Sequence, residues 1–455
     1  MFCIRFSRTG HFDFATQLNK LTVLRVKKIL STDIVKVSSL SALATLIKMM
    51  TGMVSSKVVA MAIGPVGVAL LGQLNNFSTM VLGISNGGIN AGITKFTAET
   101  AQSPRRYNIF LGTGFWITLV LSVVTGISLI VGAGYFSRII LKSSEYNYVF
   151  YVFGGTVILY AMNALLISVM NGFREFRKFT IANIVASFAG LAFAVVLAKL
   201  YKIPGALIGL ISYQSVVFFI TLWLVSSAPW FKWRLFTRIF SKSAAKKLSH
   251  FSLMAIVSAL LMPAAQLIVR DYLSTHAQAG HAGLHEAGLW EAVNKISVMY
   301  LMVVTTSLGV YYLPKLTELK TDGALQREVF TVYKLLLPFL LLSTLFIFVA
   351  KPLIIQILYS SEFMDMEKFF IWQLPGDIFK MSGWVLGYIM IARSMTKQYI
   401  FFEFVSAGAQ VGFSILCINR FGSIGGSMGY TLGHLLYLIL MLILFRKVLF
   451  IRHPR

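Results

Sequence analysis

Residues 112 to 134 and 432 to 445 contain no Asp, Glu, Lys or Arg, and they are the clearest members of a series. Uncharged or nearly uncharged stretches are centred near residues 50, 80, 120, 158, 189, 216, 261, 302, 340, 381, 408 and 434. Each approaches the roughly 20 residues that carry a helix across the hydrocarbon core of a bilayer. Lipid offers the backbone no hydrogen-bond partner, so only helices or a closed barrel can span it, and continuous rather than alternating apolar runs predict helices. With 57% hydrophobic residues among 455 and a mean hydropathy of +0.77, the chain has more apolar surface than one soluble core can bury.

The series is also a duplication. Ile203-Pro204-Gly205-Ala206-Leu207-Ile208-Gly209 has its counterpart 220 residues later in Ser423-Ile424-Gly425-Gly426-Ser427-Met428-Gly429, with Gly205 on Gly425 and Gly209 on Gly429. At the same offset Arg177 meets Lys397, Phe179 meets Tyr399, and Lys95-Phe96-Thr97 meets Lys315-Leu316-Thr317. Nearer the start of each copy the offset is 213, pairing Ser39-Leu40 with Ser252-Leu253 and Lys57 with Arg270, and the longer loop around His281 absorbs the difference. Two related apolar units in one chain predict an all-α polytopic membrane protein, with about twelve transmembrane helices in two pseudo-symmetric six-helix lobes around a central cavity. The expected divisions are a basic tail at 1–33, an N-lobe at 34–228, a basic linker at 229–250, a C-lobe at 251–445 and a short tail at 446–455.

Lys and Arg set the expected orientation. Taking the N-terminus as cytoplasmic, the alternate connections and tails hold 28 basic residues and the opposite connections 8, which predicts that both termini and the linker face the cytoplasm. The net charge of +25 is then a topological signal and a contact with anionic lipid; because the basic residues are dispersed among spans, no nucleic-acid partner is expected. The tail carries Arg5, Arg8, Lys20, Arg25, Lys27 and Lys28 but no apolar run long enough for a signal-peptide core, so no cleaved targeting peptide is expected. It reads either as an amphipathic helix on the inner leaflet or as an unstructured extension. In the linker, Lys232, Arg234, Arg238, Lys242, Lys246 and Lys247 stand without an acid, the pattern of a surface-lying helix. Cys3 and Cys417 are too far apart in sequence to suggest a disulfide framework, and the spacing of His276, His281 and His285 is a poor metal pattern. No phosphate-binding Gly-Lys-Ser/Thr loop, catalytic triad or Gly-x-Ser-x-Gly elbow is present, which disfavours an ATP-driven pump or a membrane enzyme.

An ionisable side chain inside a span costs roughly 2.5–3.5 kcal/mol on insertion scales, so each needs a partner, a wet cavity or a route to the interface. Lys48 lies roughly 16 Å along its helix from the cytoplasmic edge at 1.5 Å per residue, near mid-membrane. Lys57 is nine residues further, half a turn round, where its side chain can snorkel unless a bend at Gly52 brings both lysines to one cavity. Its repeat partner Arg270 sits beside Asp271, and a structural salt bridge and a substrate role stand as equal readings. Glu291 and Lys295 at i, i+4, and Asp377 and Lys380 at i, i+3, are spaced to neutralise each other. The first copy has Leu70 and Val157 where the second has Glu291 and Asp377, so the scaffold itself does not require these acids. Glu403, opposite Asn183, is the remaining buried acid. The set is basic on balance, and a low-dielectric cavity of that sign attracts a phosphate or diphosphate rather than a cationic drug. The second span contains Gly83, Gly87, Gly88 and Gly92 together with Asn75, Asn76, Asn86 and Asn90, which reads as close helix packing or as a polar wall facing a sugar. The candidate substrate-binding residues are thus Lys48, Lys57, Arg270, Lys295, Lys380, Asn76, Asn86 and Asn90, and the candidate ion-coupling acids are Asp377, Glu291 and Glu403.

An ordered series of motifs carries a resemblance from about Ser31 onward. It comprises Ala62-Ile63-Gly64-Pro65-Val66-Gly67, Gly92-Ile93-Thr94-Lys95-Phe96, Gly172-Phe173-Arg174, Tyr312-Leu313-Pro314-Lys315-Leu316, and Trp372-Gln373-Leu374-Pro375-Gly376-Asp377-Ile378-Phe379-Lys380 running into Gly387-Tyr388. In these the chain resembles the Wzx-type O-antigen translocases, the lipid III flippases of enterobacterial common antigen synthesis among them, of the multidrug/oligosaccharidyl-lipid/polysaccharide exporter superfamily. The basic extension before Ser31 departs from that pattern. The resemblance implies a bacterial inner-membrane protein working by alternating access. Its implied substrate is an undecaprenyl-diphosphate-linked oligosaccharide, moved from the cytoplasmic to the periplasmic leaflet for polymerisation into a surface polysaccharide. Candidate partners are membrane lipids and the polymerase and chain-length proteins of the same pathway; no cofactor is implied beyond H+ or Na+ as a coupling ion. The rival expectations are a cation-coupled multidrug antiporter of the same superfamily, whose cavity acids would dominate, and a non-transporting scaffold for glycosyltransferases, which would gain nothing from ionisable groups at membrane depth.

Overall fold

The computed structural model describes residues 33–232, 239–276, 281–319 and 321–450. The basic tail at 1–32, Arg234 and Arg238 of the linker, the His281 side chain and residues 451–455 lie outside the described residues. The elements are α1 (Asp33–Ser85), α2 (Asn90–Thr100), α3 (Pro104–Val131), α4 (Ala133–Ile140), α5 (Asn147–Gly172), α6 (Phe176–Ser226), α7 (Lys242–His276), α8 (His281–Ser307), α9 (Leu313–Glu318), α10 (Asp322–Leu358), α11 (Glu367–Ala392), α12 (Thr396–Phe421), α13 (Gly425–Leu444) and α14 (Arg446–Phe450). Among the described residues eight helical segments are long and apolar enough to cross a membrane. Three of these, Ala42–Ser85, Phe176–Ser226 and Thr396–Leu444, each hold two helices end to end, and the more polar α11 adds one more, which makes twelve crossings.

The turns that fold these double helices back come from particular residues. At Gly64 the backbone takes φ 63° and ψ −175°, a left-handed conformation that costs an L side chain steric strain, and Pro65 then opens the next helix without needing an amide donor. Lys202 (φ 55°, ψ −133°) and Gly422 (φ 67°, ψ −145°) break the chain at matching positions of the two copies, ahead of Pro204 and Gly425. The repeated Gly-x-x-x-Gly motif lies just beyond these breaks, where the outgoing helix crosses the incoming one. A Cβ at Gly205 would fall 1.9 Å from the Leu197 carbonyl oxygen, and one at Gly425 would fall 2.3 Å from the Cys417 carbonyl carbon. Only a residue without a side chain lets the backbones approach so closely.

Apolar packing divides into three clusters. One gathers Val59 to Val81 of α1, Leu129 to Val157 and Ala198 to Ile211 with Val269 to Ile296, Ile347 to Leu374 and Ile418, so both lobes share a single core at the end of the molecule marked by Gly64, Lys202 and Gly422. At the opposite, linker end each lobe keeps its own: Ile89 to Trp230 in the first, Leu301 to Leu449 in the second. Polar contacts reinforce the joined end. Lys142 of the first lobe forms a salt bridge with Asp271 of the second, and a Cβ at Gly288 would fall 1.9 Å from the Pro65 carbonyl oxygen.

Two seams continue from the joined end toward the linker end. Thr45 meets Thr306 at 3.5 Å and Gly52 lies against Met299 along the seam between α1 and α8. Gly83 abuts Ala259, and Gly88 abuts the Ser252 carbonyl, along the seam between α1 and α7. The linker helix expected at 229–250 is not separate from the seventh span: α7 begins at Lys242 and runs unbroken to His276. Its apolar Ala244 and Leu248, one turn apart, bury themselves in the first lobe's cluster, so the helix starts on one lobe and ends in the other.

Candidate functional site

Between the seams lies a cavity of about 680 Å³. Of the residues expected to bind substrate, Lys48, Asn76, Arg270, Lys295 and Lys380 line it, as does Glu291 of the candidate coupling acids. Among the described lining residues the cations Lys48, Arg270, Lys295 and Lys380 face the single carboxylate of Glu291. Lys48 stands exposed inside this space on the α1 face that meets α8.

Arg270 and Glu291 depart from the expected pairing. Instead of lying at an outer edge beside Asp271, Arg270 is 2% exposed, its Nη2 forms a salt bridge with Glu291, and its guanidinium sits over the Trp290 ring at 5.6 Å. Asp271 is taken by Lys142. Glu291 reaches Arg270 because Gly72 of α1 leaves it room; a Cβ there would fall 2.6 Å from the Glu291 carboxyl carbon. The intrahelical Glu291–Lys295 pairing is therefore not the salt bridge formed, and the Arg270 Nε and Nη1 have no hydrogen-bond partner. Two guanidinium donors of this buried arginine thus lie unpaired in the wall of the cavity.

Asp377 lies behind the cavity wall. Fully buried, it accepts hydrogen bonds from Ser297 Oγ (2.6 Å), Tyr300 OH (2.8 Å) and Tyr430 OH (2.7 Å), and it forms no salt bridge with Lys380. One turn away the Gln373 Nε2 donates to Asn294 Oδ1 at 3.0 Å while its Oε1 accepts from Ser427 Oγ at 3.2 Å. These two layers tie α8, α11 and α13 together. The first copy has Phe153 and Val157 at the positions of Gln373 and Asp377, both fully buried in apolar core. Lys380 instead stacks its ammonium over Trp384 at 5.3 Å and Tyr430 at 5.6 Å, which leaves its charge facing the cavity.

Other expected residues stand elsewhere. Lys57 does not line the cavity: its Nζ donates to the carbonyls of Gln356, at 2.6 Å, and Tyr359, closing the C-terminal end of α10, where unpaired carbonyls and the negative end of the helix dipole attract a cation. Gly52 does not bring Lys48 and Lys57 together. Asn86 and Asn90 flank a break at Gly87 and Gly88 and are not among the lining residues. Glu403 likewise does not line the cavity and sits beside Tyr399 and Ser258, whose hydroxyls are 2.6 Å apart. Sequence reasoning missed Tyr213, Gln214, Trp384, Gln410 and His434, which all line the cavity. These side chains carry no formal charge, so the sequence does not distinguish them from other neutral residues of the spans.

The comparisons with known proteins match this architecture. The profile of the family described as "Polysaccharide biosynthesis protein" matches residues 34–320. The chain is 27% identical over 371 residues to the "Lipid III flippase" of Escherichia coli (strain K12), covering 82% of this chain and 88% of that one. Among solved structures, the fold is similar to an inward-facing conformation of a multidrug resistance MATE family transporter of the MOP superfamily, with a TM-score of 0.73 and 14% identity over 89% of this chain and 94% of that one. It is also similar to a MOP superfamily transporter from Pyrococcus furiosus Vc1 (DSM3638), described by the reverse polarity of its binding pocket, with a TM-score of 0.69 and 15% identity over 91% of this chain and 94% of that one.

Proposed function

This chain belongs to the polysaccharide biosynthesis protein family, and from that membership we propose that it is a flippase for an undecaprenyl-diphosphate-linked oligosaccharide, either an O-antigen unit or the lipid III of enterobacterial common antigen. The observation that carries the proposal is the cavity itself, walled among the described residues by Lys48, Arg270, Lys295 and Lys380 against the one carboxylate of Glu291. Between low-dielectric helix walls these cations attract a diphosphate, and an arginine in the wall is suited to directional contact with phosphate oxygens. In this reading the protein is a transporter rather than an enzyme, resident in the bacterial inner membrane with its linker end in the cytoplasm, as the distribution of Lys and Arg favours. A multidrug antiporter would need carboxylates to dominate the cavity, and a scaffold would have no use for its four cations.

The diphosphate is held by Lys48, Lys295 and Lys380 with Arg270, while the polyprenyl tail stays in lipid at the seam of α1 and α8, beside Lys48. The sugars fill the aqueous space. Lobes that share a core at one end and keep separate cores at the other are suited to rock about the joined end, exposing the cavity to each leaflet in turn. Asp377 is the coupling acid in this scheme: binding H+ or Na+ there changes what its three hydroxyl neighbours donate to and so biases the packing of α8, α11 and α13. The flipped unit would then pass to the polymerase and chain-length proteins of the pathway. Lys48→Ala and Asp377→Asn are expected to abolish surface polysaccharide while the protein remains at wild-type abundance in the membrane. Normal polymer in both strains would rule out this assignment of the site.

A further inference from the structure

The two walls of the cavity differ in chemistry. Among the described residues, every charged lining residue except Lys48 belongs to the second lobe, whereas the α6 residues that line it carry no charge. On that neutral wall a chain of hydrogen bonds fixes three side chains. Asn163, 1% exposed and outside the cavity, donates its Nδ2 to Gln214 Oε1 at 3.2 Å, and Gln214 Nε2 donates to the Tyr213 hydroxyl at 2.9 Å. With its oxygen already accepting, Tyr213 keeps its own proton to donate into the cavity. One helix back, the Asn183 Nδ2 is spent on the Phe179 carbonyl at 2.9 Å, which leaves its Oδ1 as an acceptor. The Tyr213 ring lies over Gly190, where a Cβ would come within 3.3 Å of it.

The repeat shows that this platform is specific to one lobe. At the 220-residue offset Tyr213 corresponds to Gly433 and Gly190 to Gln410, and in the second lobe it is Gly433 that lies against Gln410. The same helix crossing is filled in both lobes, but the aromatic ring is present only in the first. Asn163 and Gln214 correspond to Gly383 and His434, so the hydrogen-bonded chain is missing there as well.

We propose that this α6 wall, with Tyr213 as platform over Gly190, Gln214 next to it and Asn183 about two turns along the helix from Gly190, is the glycan-reading subsite, and that the second lobe's cations hold the diphosphate. An aromatic face beside one fixed donor and one fixed acceptor suits the C–H face, hydroxyls and N-acetyl group of a pyranose. The inference rests on the flippase reading, and the two are separable. Binding to full-length protein in nanodiscs is measured for undecaprenyl diphosphate and for the same lipid bearing one N-acetylglucosamine. The sugar is expected to tighten wild-type binding about tenfold. Tyr213→Phe and Asn183→Ala should each remove several-fold of that gain and leave affinity for the bare diphosphate lipid unchanged, whereas Lys380→Ala weakens both. Equal binding of the two lipids by wild type, or equal loss of both in the wall variants, would overturn the subsite and leave the flippase reading intact. Binding of neither lipid by the wild type would overturn both.

Discussion

Arg270 shows how a membrane interior changes the meaning of a charge. Near an interface it would snorkel; buried at 2% exposure it needs Glu291, and losing that partner leaves an uncompensated cation. Glu291→Gln is therefore expected to destabilise the purified protein by about 3–5 kcal/mol, read as a lowered midpoint in thermal unfolding. The double variant Arg270→Met with Glu291→Leu should recover most of that loss yet fail in transport, because the cavity loses a cation. Recovery of stability and transport together would reduce the pair to a packing device. Lys57 gives the opposite result. Its contacts close the end of α10, so Lys57→Met should cost about 1.5–3 kcal/mol of stability, in the range of hydrogen bonds to a charged group, with affinity for the diphosphate lipid unchanged. Both lysine and arginine were visible in the sequence as buried charges, and repeat alignment made them partners. What they touch was not visible, because a helix position fixes depth but not the neighbour that tertiary packing brings alongside.

At the scale of the helix, the duplicated motif is a record of close packing. The glycines at 205 and 425 sit where two antiparallel helices cross with their backbones in contact, while Gly408 and Gly412 face open space. Gly205→Ala and Gly425→Ala are thus expected to cost about 1–3 kcal/mol from overpacking, whereas Gly408→Ala should be neutral or slightly stabilising. Retained yield and unfolding midpoint across all three would contradict the crossing geometry. The two breaks add a second test. Lys202 occupies the left-handed conformation that Gly422 supplies at the matching place in the second copy, and Lys202→Gly is expected to stabilise the protein by about 1 kcal/mol through relieved strain. Helix existence was legible throughout because each span repeats one simple requirement, an apolar surface of bilayer length. Element boundaries were less so: α7 absorbs the second half of the expected linker, since Ala244 and Leu248 find burial on the first lobe that local sequence does not announce.

For the whole molecule, the decisive feature is one core shared at one end and two kept apart at the other. Relative motion of the lobes should accordingly be blocked by a covalent tie across the seam of α1 and α8. Thr45→Cys with Thr306→Cys, placed where the native hydroxyls lie 3.5 Å apart, is expected to abolish flipping under oxidising conditions and to recover it with reductant. Full activity with the disulfide formed would show that this seam does not open. The amino-acid sequence by itself determined the solvent, the number of crossings, the duplication and the basic sign of the interior, because hydrophobicity, length and charge are sums over residues that no packing can alter. Only the tertiary structure decided which charges share a cavity, that Asp377 is held by hydroxyls instead of by Lys380, and that a neutral wall faces a basic one. Those outcomes depend on how twelve helices rotate about their axes, and the rotation is set by contacts between residues hundreds of positions apart.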